Sequence, residues 1–138
     1  MKKFPIGITF VGLLVSQAAA GQSHGKIEAQ YSREYNQCMN SGEAAEGVTL
    51  GILNCNGTEI DRQDARLNQA YKMVMIRLNA AQKSKLRFLE RAWVNRRDAR
   101  CRHEAAPEEG GTLASIIYSG CILNETIARR QWLEAYKP

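Results

Sequence analysis

Four cysteines, two histidines and fourteen carboxylates are the side chains with obvious chemical capacity in this 138-residue chain. Cys38, Cys55, Cys101 and Cys121 include no Cys-x-x-Cys pair, and Cys101-Arg102-His103 alone is too small a ligand set for zinc. A nucleophilic triad needs a histidine positioned by a third group, but His24 lies in a polar, Gly-containing tail and His103 among charges. Gly110-Gly111-Thr112 lacks the lysine and spacing of a phosphate-cradling loop. Glycoside hydrolysis takes two carboxyls across a sugar-sized cleft, whereas Asp64 and Glu90 fall where structural partners are expected. Without Cys-x-x-Cys, the cysteines read as structural rather than redox-active. These patterns point away from an enzyme, a metal centre or a cofactor. They point towards a protein that acts by binding.

The N-terminus supplies the context for the cysteines. Residues 1–20, MKKFPIGITFVGLLVSQAAA, read as a secretory signal peptide. Lys2 and Lys3 precede an apolar run from Ile6 to Val15, and Ala18-Ala19-Ala20 offers a small-residue cleavage site. The run is too short to span a bilayer. Residues 21–25 follow as a mobile polar tail, and residues 26–138 as one domain. Cleavage removes Lys2 and Lys3 and takes the formal net charge from +5 to +3. The implied destination is periplasmic or secreted. There an even number of cysteines defaults to disulfides. Four cysteines allow three connectivities. Pairing neighbours, Cys38–Cys55 and Cys101–Cys121, closes two short loops and joins successive helices, each bond adding about 3 kcal/mol.

The elements that would position these groups are helical. Leu86, Glu90, Trp93, Arg97 and Cys101 recur at three and four residues and share one helix face. Upstream, Ile60, Asp64, Leu67, Tyr71, Val74 and Leu78 do the same. An antiparallel hairpin turning near Ala80 and Ala81 would set Asp64 against Arg97, Tyr71 against Glu90, Asn68 against Trp93 and Ile60 against Cys101. Such a polar seam is expected to pair charges whose isolated burial would cost several kcal/mol, roughly. Ile27, Tyr31, Tyr35, Cys38 and Met39 predict an earlier helix of about four turns, ended by Asn40-Ser41-Gly42. Thr49 is a plausible N-cap for the long second helix, with a bend allowed at Gly57. Thr112 is expected to cap the last helix, where Leu113, Ile116, Ile117, Leu123, Ile127 and Leu133 supply apolar surface. The fold class is all-α, three to four helices with a long central hairpin, stapled twice.

The ordered set Cys38, Gly47-Val48-Thr49, Cys55, Asp64, Leu67, Asn68, Tyr71, Leu86, Arg91, Trp93, Arg97, Asp98, Cys101, Gly110-Gly111, Cys121, Thr126 and Arg129 resembles the LprI-type lysozyme-inhibitor domain of bacterial envelope proteins. The resemblance covers about residues 35–133. It implies a small secreted helical domain and non-covalent binding to lysozyme. One departure stands out: family members commonly read Gln-Arg-x-Trp, and this chain has Glu90-Arg91-Ala92-Trp93.

Two surfaces are candidates for recognition. Lysozymes are usually cationic, so a net positive inhibitor gains no long-range steering and must rely on a local acidic patch. Glu104, Glu108 and Glu109 around Pro107 are the first choice, with Glu43 and Glu46 second. The alternative is the third helix: Lys83 to Arg102 holds eight Lys or Arg against Glu90 and Asp98. Its Arg87 and Arg91 point away from the Trp93 face, towards an anionic envelope polymer or an acidic partner. Export makes nucleic acid an improbable partner. Oligomeric state is not legible.

Overall fold

Capping chemistry marks where the helices begin. A computed structural model describes residues 26–138, so the expected signal peptide and tail lie outside the described residues. After a helical turn at 26–28, the Ser32 hydroxyl caps α1 (Arg33–Met39) by accepting from the Tyr35 N–H at 3.0 Å. The single-turn α2 (Gly42–Ala45) leads into α3 (Thr49–Met75), which runs unbroken through Gly57. Asn79 and Gln82 form a reciprocal capping box that starts α4 (Ala80–Ala105). A short 3-10 turn, Ala106–Glu108, precedes α5 (Thr112–Glu134). Among the described residues there is no strand, and no helix is long and apolar enough to cross a membrane.

The expected all-α architecture and both nearest-neighbour disulfides are present. Cys38–Cys55 ties α1 to α3 and Cys101–Cys121 ties α4 to α5, with Cα separations of 5.8 and 5.5 Å. Some boundaries differ from expectation. The first helix is two turns because Ser32 caps it late, and Val48 and Gly111 occupy the N-cap positions expected for Thr49 and Thr112.

The hairpin seam is the main correction. α3 and α4 do reverse direction through residues 76–79, but α5 makes most of the interhelical contact, chiefly with α3 and then with α4. It runs parallel to α3, with Asn56 bonded to Ser119 and Val74 beside Leu133 further on, and antiparallel to α4, with Cys101 joined to Cys121 and Glu90 paired with Arg129. α3 and α4 share an apolar cluster near their turn, where Leu67, Val74 and Leu78 meet Leu86, Trp93 and Leu133. The paired polar groups expected between them are absent. Asp64 is exposed and accepts from Asn68 Nδ2 at 2.8 Å, one turn on in the same helix. Arg97 binds its neighbour Asp98 at 2.8 Å. Glu90 turns to Arg129 of α5 instead of Tyr71, which joins the apolar cluster. Of the four expected juxtapositions, Ile60 beside Cys101 has a counterpart: Ile60 packs against the Cys101–Cys121 cluster.

Candidate functional site

α3 carries polar groups where a core helix ordinarily carries apolar ones. Asn56, Glu59 and Gln63 are buried at three- and four-residue spacing, continuing into Leu67 and Val74. The N-terminal segment supplies most of their partners, Gln63 Nε2 donating to the Gln30 carbonyl at 3.0 Å, while Gln63 Oε1 stays buried without one. Glu59 accepts from the Ser32 N–H at 3.0 Å, the Ser32 hydroxyl at 2.6 Å, Gln63 Nε2 at 2.7 Å, and Arg62. Burial pushes the Glu59 pKa up, but the bonds from Ser32, Gln63 and Arg62 outweigh it and hold the carboxyl below its ordinary value. Tyr35 donates to Asn56 Oδ1 at 2.9 Å, and Tyr31 to Asn124 Oδ1 at 2.6 Å. Burial, with the neighbouring Tyr35 and Glu28, pushes the Tyr31 phenol up to about 12. Each of these groups is occupied in holding the N-terminal segment on the α3–α5 face. The network is structural.

A second constellation sits where α4 meets the end of α5. Arg129 Nη2 donates to Glu90 Oε1 at 2.6 Å, and Nε donates to both Glu90 oxygens at 3.1 and 3.3 Å. Its guanidinium lies 3.7 Å from the Trp132 ring centroid and 5.6 Å from that of Trp93, and Arg97 lies 5.1 Å from Trp93. Glu90 and Arg129 are thus bound to each other and shielded by both tryptophans of the chain. Sequence reasoning rightly demanded a partner for Glu90 but sought it on the adjacent helix.

The opposite end of the bundle is open. Beneath the loop joining α4 to α5 lies a groove of about 650 Å³, walled by Ala105, Leu53 and Tyr118 and roofed by Glu109, Gly110 and Gly111. The loop has defined geometry: Glu109 N–H bonds Ala106 O at 3.1 Å and Gly111 N–H bonds Glu108 O at 3.0 Å. Gly110 sits at φ +88°, where a side chain would be strained. Cys101–Cys121 fixes the helices on either side. Of the three expected glutamates Glu109 lines this groove, with Arg102 as an opposing charge on the wall; Glu108 is exposed beside it in the loop, and Glu104 is exposed along a separate cleft with Arg100 and Glu125. Glu43 and Glu46 are exposed at the same end, since α2 packs on the first turns of α3. Leu50 and Leu113 add exposed apolar surface. Arg87 and Arg91 are exposed on the outer face of α4, apart from this groove. Among the described residues no cluster of three His, Cys, Asp or Glu side chains is disposed to hold a metal ion.

The family model described as "Lysozyme inhibitor LprI" matches residues 38–133. The chain is also similar to a protein of Rhizobium meliloti (strain 1021) described as "Uncharacterized protein R02472". The two are 26% identical over 100 residues, covering 63% of this chain and 70% of that protein. No solved structure matches the chain.

Proposed function

Because the chain belongs to the LprI lysozyme-inhibitor family, we propose that it binds lysozyme without covalent chemistry and does so through the acidic loop end. The observation that carries this reading is one juxtaposition. Glu109 stands exposed on the rim of an apolar groove whose flanking helices are joined by a disulfide, with Glu108 exposed beside it in the same loop and Glu104 exposed in the last turn of α4. An apolar centre with a charged rim is the ordinary anatomy of a protein–protein interface. A loop anchored at both ends loses little freedom on binding, which favours affinity. Since the whole chain is positive, attraction to a cationic lysozyme comes from this local patch and weakens as salt screens it. Two disulfides and the family both suit an extracytoplasmic protein, with export through residues 1–20 as the proposed route.

The test is a lysis assay with purified protein. Inhibition should be saturable and should fall at least tenfold on Glu108→Lys plus Glu109→Lys, with the helical circular-dichroism spectrum unchanged. Undiminished lysis at saturating protein would remove the reading. A second reading, binding of an anionic envelope polymer, rests on exposed Arg87 and Arg91, for which no ion pair forms among the described residues. It predicts salt-sensitive sedimentation with cell-wall material that Arg87→Glu plus Arg91→Glu abolishes.

A further inference from the structure

Exposed apolar surface and unpaired positive charge coincide where α3 turns into α4. Ile76, Phe88 and Met73 are 72%, 65% and 55% exposed, far more than large apolar side chains need to be in a bundle with a formed core. Ile76 stands at the C-terminus of α3, and Met73 lies one helical turn before it. Phe88 belongs to the facing stretch of α4, whose Leu86 packs with Val74 and Leu78 in the shared cluster. From Ala65 to Leu89 the chain carries six Lys or Arg and no Asp or Glu. Of these, Lys72, Arg77, Lys85 and Arg87 are exposed in the same last turns of the hairpin, and none takes part in an ion pair among the described residues.

Carboxylates do not offset this charge. The end of α5 that packs against the turn brings Glu134, but Arg130 holds it at 2.7 Å, and Arg129 holds Glu90, the first carboxylate of α4. The cations and apolar groups encircle one end of the bundle and do not converge. Phe88 lies two residues beyond buried Leu86, so it leaves α4 on the side away from the core, whereas Met73 borders the α3–α5 groove beside Leu133. Cations dispersed in this way suit no single phosphate or carboxylate. They suit a plane of anions met end-on.

We propose that the α3–α4 turn docks end-on onto a bilayer containing anionic phospholipid. Ile76 enters the interface first, Met73 and Phe88 follow to the acyl boundary, and Lys72, Arg77, Lys85 and Arg87 lie among the headgroups. Each cation near such a surface is attracted independently, so none needs to share a ligand with another, and the apolar tip supplies what charge alone would not. The contact is peripheral, since among the described residues no helix is long and apolar enough to cross a membrane. Glu43, Glu46, Glu108 and Glu109 are exposed at the opposite end, about 40 Å away along the 27 residues of α3. Their repulsion from the same lipids sets the orientation and leaves the acidic loop facing away from the bilayer.

Cosedimentation of the purified protein with lipid vesicles is the test. Binding is expected to vesicles of phosphatidylglycerol mixed with phosphatidylcholine, at least tenfold weaker to phosphatidylcholine alone, and declining as salt is added. Ile76→Ser plus Phe88→Ser and, separately, Lys72→Gln plus Arg77→Gln plus Lys85→Gln should each weaken it at least tenfold. The melting temperature should not change, since all of these side chains are exposed. Fluorescence reports the orientation: Ile76→Trp should add a blue-shifted component when mixed vesicles are supplied, and Leu113→Trp, at the acidic end, should not. Equal binding to phosphatidylcholine alone, no binding to either vesicle, or a shift at Leu113→Trp in place of Ile76→Trp would overturn the proposal. Full binding by the Ile76→Ser plus Phe88→Ser variant would also overturn it, assigning the surface to an anionic polymer held by charge alone. Lysozyme inhibition in solution is an independent readout that both multiple variants should leave intact.

Discussion

Glu90 and Arg129 are 39 residues apart, and each accounts for the other's burial. The guanidinium of α5 makes the Glu90 carboxylate one half of an ion pair. Glu90→Ala should therefore cost about 3–5 kcal/mol by stranding a charge, while Glu90→Gln should cost much less because the amide oxygen still accepts. By contrast Asp64→Ala and Asp61→Ala should both stay within about 0.5 kcal/mol, both side chains being exposed; chemical denaturation of the four variants checks the contrast. Glu59 gives a pH signature. Its folded pKa lies below the ordinary 4.5, so its contribution is complete above about pH 4.5 and is lost as pH falls through the depressed value. Glu59→Gln should lower stability at pH 7 by about 2 kcal/mol and flatten the fall in melting temperature between pH 5 and 3. An unchanged acid profile would mean that another group controls it.

At the scale of elements, two glycines of α3 have opposite roles. A Cβ on Gly51 would lie 2.6 Å from the Ala44 backbone nitrogen, so this glycine is what lets α2 pack against α3. One on Gly57 would meet nothing within 4 Å. Gly51→Ala should lower the melting temperature, whereas Gly57→Ala should raise stability by about 0.5–1 kcal/mol through helix propensity. The same helix shows what was legible in the sequence. Periodicity placed α3, α4 and α5 within a few residues, because caps and helical spacing are local properties. It selected the stripe Ile60, Asp64, Leu67, since apolar residues are the usual guide to a buried face. In the first half of α3 the buried stripe is Asn56, Glu59, Gln63 instead. Glu59 and Asn56 become buriable through hydrogen bonds from Ser32 and Tyr35, and Gln63 through the bond it donates to the Gln30 carbonyl, all over 20 residues away. Spacing within one helix carries no record of that distant supply. A glutamate and glutamine four apart, in register with Leu67, were the available hint.

For the whole molecule, pairing sequence neighbours accounts for the apolar cluster that α3 and α4 share near their turn, but α5 makes most of the interhelical contact with both. The disulfide pairing was legible because it joins successive helices, and the α4–α5 loop because Pro107 and Gly110-Gly111 interrupt the helical pattern. The groove beneath that loop was not, as its walls come from α3, α4 and α5 together. The resulting molecule has acidic loops at one end and a carboxylate-free basic stretch leading to and from the turn at the other. Recognition of lysozyme by the acidic end is tested by calorimetric titration of lysozyme into wild-type protein, Glu104→Lys/Glu108→Lys/Glu109→Lys and Arg87→Glu/Arg91→Glu. The loop reversal should weaken affinity at least tenfold, and the helix reversal should leave it unchanged. Equal affinity for all three proteins, or a loss confined to the arginine variant, would contradict it.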